Sequence, residues 1–193
     1  MRVMTGEEAR SQCSEAGLTV NEDGVLCYSY SKQNSFFISA PEEHRRIVVL
    51  SRTISTLQSE TSFQGGLLWF RRWQIGSPQL VQVGWEIVEG LRRAHGDLRS
   101  LDAAPAHWFR HDELISLNAF LLQAIAFGWV ADYVPASGRF FVHCKDNRQV
   151  CITADSAETL KDLRTIFGQW NPIDADPMVL RMSALEKQRK AGL

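Results

Sequence analysis

A faint internal repeat constrains the fold of this chain more than any other feature. Residues 16–57 and 127–167 follow one plan, namely a helix end, a glycine, three strand-like runs and a second helix. With the helix that precedes each, the two units span about 5–57 and 111–168. Such a repeat predicts an α+β fold with a largely antiparallel sheet and helices packed on one face. The alternative is two unrelated helix-plus-hairpin units, since few positions in the two units are identical.

Two further elements join the repeats. An apolar, aromatic run at 67–75 favours a central strand, and the spacing over 78–94 predicts an amphipathic helix with Gly84 on its apolar face. A glycine in that position indicates close approach of a neighbouring element. We expect residues 1–170 to form one globular α+β domain.

The last segment, 171–193, has a different character. Two prolines are followed by an apolar stripe at 178–185 and then by a charged run, which is typical of a separate amphipathic helix. We interpret this segment as a C-terminal helical tail that packs back on the domain or reaches a partner. A homodimer formed through the stripe is one such arrangement.

Composition and charge exclude several classes of protein. Of 193 residues, 45% are hydrophobic, which favours a packed core, and the net charge of -1 gives no overall attraction to nucleic acid. The longest apolar run, 114–127, is shorter than a membrane span, and the acidic N-terminal segment predicts a cytoplasmic location. The four cysteines form no CxxC pair, so no metal site and no cofactor is expected.

The first candidate site is the sequence Trp69-Phe70-Arg71-Arg72-Trp73. Strand alternation predicts that Trp69, Arg71 and Trp73 share a face, with the guanidinium between two indoles. That arrangement suits a base, a peptide aromatic side chain or an anion. The alternative is that both tryptophans belong to the core and Arg71 pairs with a carboxylate such as Glu86 or Glu89.

A second candidate site lies at the start of the helix near residue 112. His107, His111, Asp112 and Glu113 bring two imidazoles and two carboxylates close together in sequence. We interpret this cluster as a ligand site or an enzyme site; the alternative is helix capping with Asp112 as N-cap. No HExxH pattern is present.

His143 raises the question of a Cys-His pair. Its neighbour Cys144 points to the other face of a strand, whereas Cys27 or Cys151 remains geometrically possible. The chain has no GxSxG, GxGxxG or GxxxxGK[ST] motif. We therefore expect a non-enzymatic interaction or regulatory protein that binds a protein partner or small ligand through its aromatic and arginine surface, because interface hot spots favour Trp and Arg. The alternative is a hydrolase or transferase with a site around His107–Glu113.

Overall fold

The structure is a computed structural model that describes residues 1–21, 26–28, 34–57, 65–73, 77–145 and 148–175. Its strands are β1 (Arg2–Met4), β2 (Leu18–Val20), β3 (Leu26–Tyr28), β4 (Asn34–Ser39), β5 (Gly66–Arg72), β6 (Ala106–Phe109), β7 (Val130–Pro135), β8 (Phe140–Cys144) and β9 (Gln149–Ala154). Its α-helices are α1 (Gly6–Glu15), α2 (His44–Thr56), α3 (Pro78–Ala94), α4 (Leu114–Phe127) and α5 (Ala157–Ile166). Short 3-10 helices cover His111–Glu113 and Gly168–Trp170.

Seven strands form one antiparallel sheet in the order β1-β6-β5-β7-β8-β9-β4, and β2 pairs with β3 in a separate hairpin. The expected α+β class with a largely antiparallel sheet is confirmed. The pseudo-repeat is not confirmed. In the second unit β7, β8 and β9 are consecutive neighbours, whereas in the first unit β4 leaves the hairpin and pairs with β9 at the sheet edge.

Helices cover both sides of the sheet, which corrects the expectation that they lie on one face. We call the side that carries α2, α3, α4 and α5 the front face. Its core joins the buried stripes of these helices to alternate residues of the central strands. On the other side, the back face, α1 and the β2–β3 hairpin form a second, smaller core with Trp69. The apolar side chains on both the front face and the back face of the sheet are thus removed from water.

Local sequence signals explain several element boundaries. The Thr5 hydroxyl accepts the Glu8 N–H and the Glu8 carboxylate accepts the Thr5 N–H, which is the capping box that starts α1. Helix α5 is capped by Ser156, whose hydroxyl accepts the Thr159 N–H. Gly84 packs as expected: a Cβ there would lie 2.6 Å from the Trp129 ring.

The segment before Arg110 contains strand β6, which no pattern in the sequence predicts. Three of its four residues are fully buried, because β6 lies between β1 and β5 with a core on each face. A strand this short, buried on both sides, shows no polar and apolar alternation that a sequence pattern could reveal.

At the other edge of the sheet, Ile173 forms a β-bridge with Phe37 of β4. Residues 176–193, and with them the expected C-terminal helix and its dimer stripe, lie outside the described residues, as do residues 74 and 75 of the expected strand. None of the helices in the described ranges is long and apolar enough to cross a membrane.

Candidate functional site

One row of side chains crosses the whole back face of the sheet. From β1 to β4, residues directly opposite one another in the strand pairs run Met4, Ala106, Trp69, Asp132, His143, Cys151 and Phe37. Directly opposed residues of antiparallel strands point to the same face, with Cβ atoms roughly 4.5–5.5 Å apart. The first three members belong to the apolar core under α1. The next three place a carboxylate, an imidazole and a thiol side by side.

A buried carboxylate organises the polar part of this row. Asp132 is 1% exposed and uses both of its oxygens. Oδ1 lies 2.6 Å from His143 Nδ1, and Oδ2 accepts a hydrogen bond from Arg71 Nη1 at 3.4 Å. Because an ionised carboxylate only accepts hydrogen bonds, we assign the shared proton to Nδ1 of His143. The negative charge of Asp132 is therefore compensated by hydrogen bonds from Arg71 on β5 and His143 on β8.

Arg71 is fixed from a second direction by an aromatic ring. Its Cζ atom lies 4.0 Å from the centroid of the Trp69 ring, a cation–π contact. The side chains of Arg71 and His143 keep 17% and 16% of their surface exposed. The row therefore presents two nitrogen-bearing groups to solvent above a buried acid.

A β-bulge corrects the expected geometry of the tryptophan pair. Phe70 pairs with Ala131 and Arg72 with Val130, so Arg71 is an extra residue in β5. Beyond the bulge the alternation is reversed, and Trp73 packs with Trp85 against the front-face core. Trp69 and Trp73 thus lie on opposite faces. The guanidinium stacks on Trp69, and the expected sandwich between two indoles does not form.

The partner of Arg71 is also different from the two expected acids. Glu89 instead accepts the Leu101 N–H at 3.0 Å and lies 4.0 Å from the buried Arg92, while Glu86 accepts a hydrogen bond from Gln82. Asp132 and His143 were not singled out together by the sequence. The available signal was an aspartate in the middle of the otherwise apolar strand Val130–Pro135, where an acid is costly unless it has partners.

His107 faces the front-face core and not a ligand site. It is fully buried among Phe70, Phe109 and Phe120, and no described residue is a well-aligned hydrogen-bond partner of either ring nitrogen. Burial lowers the pKa of His107 to about 3; the Arg92 charge adds to this effect and the Leu68 backbone offsets part of it. His107 is thus neutral at ordinary pH.

The other members of the second candidate cluster do not gather around His107. His111 is exposed, Asp112 pairs with Arg110 at 3.3 Å, and Glu113 accepts the Arg110 N–H at 2.8 Å. Helix α4 begins at Leu114 after a 3-10 turn, so Asp112 is not its N-cap. Asp112 and Glu113 thus bind Arg110 at the 3-10 turn. Nothing in their arrangement favours the hydrolase or transferase hypothesis.

All four cysteines are reduced, and three are buried. Burial raises the pKa of Cys13 on α1 and of Cys144 on β8 to about 12, and the nearby Asp132 charge adds to both shifts. These two thiols are inert. Cys151 differs from them because it is opposite His143 in the row and is 9% exposed.

A separate cavity of about 400 Å³ opens beside the same face, farther along β5 and β7. It is lined by Gln12, Glu15, Ala16, Leu67, Trp108, Val134, Pro135 and Ala136. Its size lies within the range of small-molecule sites. Its lining carries a single charged side chain and does not include Asp132, His143 or Cys151.

Among the residues that the structure describes, no group of three or more His, Cys, Asp or Glu side chains is placed to hold a metal ion. The Arg71–Asp132–His143 cluster, extended by Cys151, is therefore the candidate site that the geometry itself defines. No family model, no curated protein and no solved structure matches the chain.

Proposed function

We propose that this chain is an interaction or regulatory protein that binds an anionic group of a ligand or protein partner on the back face, beside Arg71. The observation that carries the proposal is the double fixation of the Arg71 guanidinium, by the Trp69 ring at 4.0 Å and by Asp132 at 3.4 Å, with part of the side chain still in solvent. A planar guanidinium held in one orientation suits carboxylate and phosphate groups, which it binds in a bidentate manner.

The local charge supports an anion over a cation. Arg71, His143 and Lys145 lie along this part of the face, and the acid among them, Asp132, is buried with both oxygens engaged. Arg71 and Lys145 together outweigh the single negative charge of Asp132, so an arriving anion meets a local excess of positive charge. The Trp69 ring, 5% exposed, adds an apolar support under the guanidinium and restricts its motion.

The proposal is tested by titrating the ¹⁵N-labelled full chain with inorganic phosphate and with acetate at constant ionic strength. We expect chemical-shift changes centred on β5, β7 and β8 around Arg71 and His143. Arg71→Gln should weaken binding by at least about tenfold, because hydrogen bonds to charged groups are worth roughly 1.5–3 kcal/mol. Arg110→Gln is the matched control, since Arg110 is 65% exposed and pairs with Asp112 on the surface.

Two results contradict the proposal: shifts as large around Arg110 as around Arg71, or unchanged affinity in Arg71→Gln. If Arg71→Gln disturbs the fold by leaving Asp132 short of a partner, Arg71→Lys serves instead. Lysine retains the charge beside Asp132 but lacks the planar fork, so we expect weaker anion binding with a preserved fold. Equal affinity of the lysine variant and the unmodified chain also contradicts the proposal.

A further inference from the structure

The back-face row contains a thiol in a setting that differs from that of the other cysteines. Cys151 on β9 lies directly opposite His143 on β8, and His143 lies directly opposite Asp132 on β7. Thiol, imidazole and carboxylate thus come from three adjacent strands and point to one face. The order of groups is that of a nucleophile, its base and the group that orients the base.

Asp132 fixes the state of the imidazole. With Nδ1–H donated to Oδ1 at 2.6 Å, the lone pair of His143 resides on Nε2, which can accept a proton from a thiol. Arg71 occupies the second oxygen of Asp132, so the carboxylate holds the ring without taking its proton. The imidazolium that forms after proton transfer is stabilised by the same hydrogen bond.

A second cation lies near the outer end of the row. Phe37 is opposite Cys151 on the outer side, and Lys145 Nζ lies 5.0 Å from the centroid of the Phe37 ring. Cys151 thus has an imidazole on the strand at one side and, on the other side, an aromatic ring that carries a lysine. Nearby cations lower the pKa of a cysteine and make it a nucleophile at neutral pH.

We propose that Cys151 is a nucleophilic thiol, activated by His143 with Asp132 as its positioning residue, that accepts acyl groups from activated esters. Sγ attacks the acyl carbon, the S–C bond forms, and the bond from that carbon to the leaving oxygen breaks. The thiol proton passes to His143 Nε2 and then to the leaving group, so an ester and a thiol become a thioester and an alcohol. This inference goes beyond anion binding and does not depend on it.

Two probes test the thiol in the full chain. Limiting iodoacetamide alkylates thiolates, with loss of iodide, and p-nitrophenyl acetate transfers an acetyl group with release of p-nitrophenolate. Peptide mapping after brief exposure to either probe reports the rate at each of the four cysteines. Cys27 is the matched control, because it is more exposed than Cys151 and lies opposite Thr19, not opposite an imidazole. Each thiol also has a threonine hydroxyl nearby, Thr19 for Cys27 and Thr153, at 3.8 Å, for Cys151.

We expect Cys151 to react at least about tenfold faster than Cys27 near neutral pH, despite its lower exposure. His143→Gln should reduce the Cys151 rate by about tenfold and leave Cys27 unchanged. Asp132→Asn should move the pH midpoint of the Cys151 rate, a response that a purely structural aspartate would not produce. The titratable and charged groups of this part of the back face are His143, which is opposite the thiol, then Asp132 and Arg71, with Lys145 over Phe37 and Cys13 of α1 near Asp132.

Cys13 and Cys144 report whether a variant remains folded, because both are buried and become reactive only on unfolding. The comparison of Cys151 with Cys27 in the unmodified chain needs no variant and remains decisive if His143→Gln unfolds. A faster reaction at Cys27, or a Cys151 rate that is unchanged in folded His143→Gln, overturns the proposal. Unchanged phosphate affinity in Arg71→Lys with rapid Cys151 labelling would reject anion binding and leave the reactive thiol standing.

Discussion

His143 donates its Nδ1–H to Asp132 across the β7–β8 pair at 2.6 Å, and the acceptor carboxylate is 1% exposed. A carboxylate is buried at such a depth only when its charge is compensated, and here Arg71 supplies the second partner from β5. The Asp132 side chain thus links strands β5, β7 and β8 by hydrogen bonds. The same contact sets the tautomer of the only imidazole that lies on the back-face row.

The first prediction concerns the stability that depends on Asp132. Asp132→Ala should lower the free energy of unfolding by about 3–5 kcal/mol, because it leaves the Arg71 and His143 groups without their buried partner. Asp112→Ala is the control: Asp112 also pairs with an arginine, but on the surface, and should cost less than about 1 kcal/mol. Urea unfolding monitored by tryptophan fluorescence measures both values. Similar losses in the two variants would show that the buried network does not contribute to stability.

The second prediction is a pH dependence due to His107. The pKa of His107 is about 3 in the folded chain and close to 6.5 when unfolded, so between these values the unfolded state binds more protons. Stability therefore decreases as pH falls through this window, by about 1.4 kcal/mol per pH unit from this group. In His107→Leu the dependence should be shallower. Urea midpoints at pH values of about 5 and 7 measure the slope, and an unchanged slope in His107→Leu argues against a neutral buried imidazole.

His111→Leu is the control for this experiment, because His111 is exposed and lies outside the core. Its pH slope should match that of the unmodified chain. A slope that changes equally in both variants would assign the effect to a general loss of stability and not to His107.

The third prediction concerns the buried Arg92. Its side chain is fully buried, and Glu89 and Asp97 lie 4.0 and 3.9 Å away. Among the described residues, none forms a hydrogen bond with its three nitrogens. Both acids keep other donors, namely the Leu101 N–H and Arg99. Arg92→Met should therefore leave stability unchanged or raise it by about 1–2 kcal/mol, since replacing a buried charge with an apolar side chain removes a desolvation cost.

Substitution of the acid that pairs with Arg92 provides the comparison. Glu89→Met removes a partner of Arg92 and the acceptor of the Leu101 N–H, so we expect a loss of about 3 kcal/mol. Arg92→Met should also raise the pKa of His107 measured by NMR, because the Arg92 charge contributes to its low value. Equal destabilisation by the two substitutions would contradict this account of Arg92.

The fourth prediction compares two glycines of α3. An alanine Cβ at Gly84 would lie 2.6 Å from Trp129 and 3.2 Å from Phe127, whereas at Gly90 no atom lies within 4 Å. Gly84→Ala should destabilise the chain by about 1–3 kcal/mol through overpacking. Gly90→Ala should stabilise it by about 0.5–1 kcal/mol through helix propensity. Thermal unfolding of both variants provides the test, and shifts of the same sign would contradict the close packing of α3 on Trp129.

Local patterns predicted those features that depend on near neighbours in the chain. The spacing of apolar residues predicted helix α3 and the region of α4, and the capping box at Thr5 and Glu8 fixed the start of α1. These signals work because capping and amphipathic spacing act within one or two helical turns. The same reasoning missed β6, whose short buried strand carries no periodicity of its own.

The candidate site illustrates the limit of that reasoning. Trp69 and Arg71 were singled out from strand alternation, and both lie in the observed cluster. The bulge at Arg71 then reversed the alternation and moved Trp73 to the front face. A bulge depends on which strand pairs with β5, and β7 is about sixty residues away in sequence.

The amino-acid sequence by itself determined the α+β class, the absence of common catalytic motifs and the bounds of helix α3, since each of these depends on composition or on local spacing. Only the tertiary structure decided that Asp132, His143 and Cys151 stand next to one another, and that β4 pairs with β9 instead of completing a repeat. The reason is physical: strand register and strand order arise from burial of two apolar faces at once. No single segment contains that information.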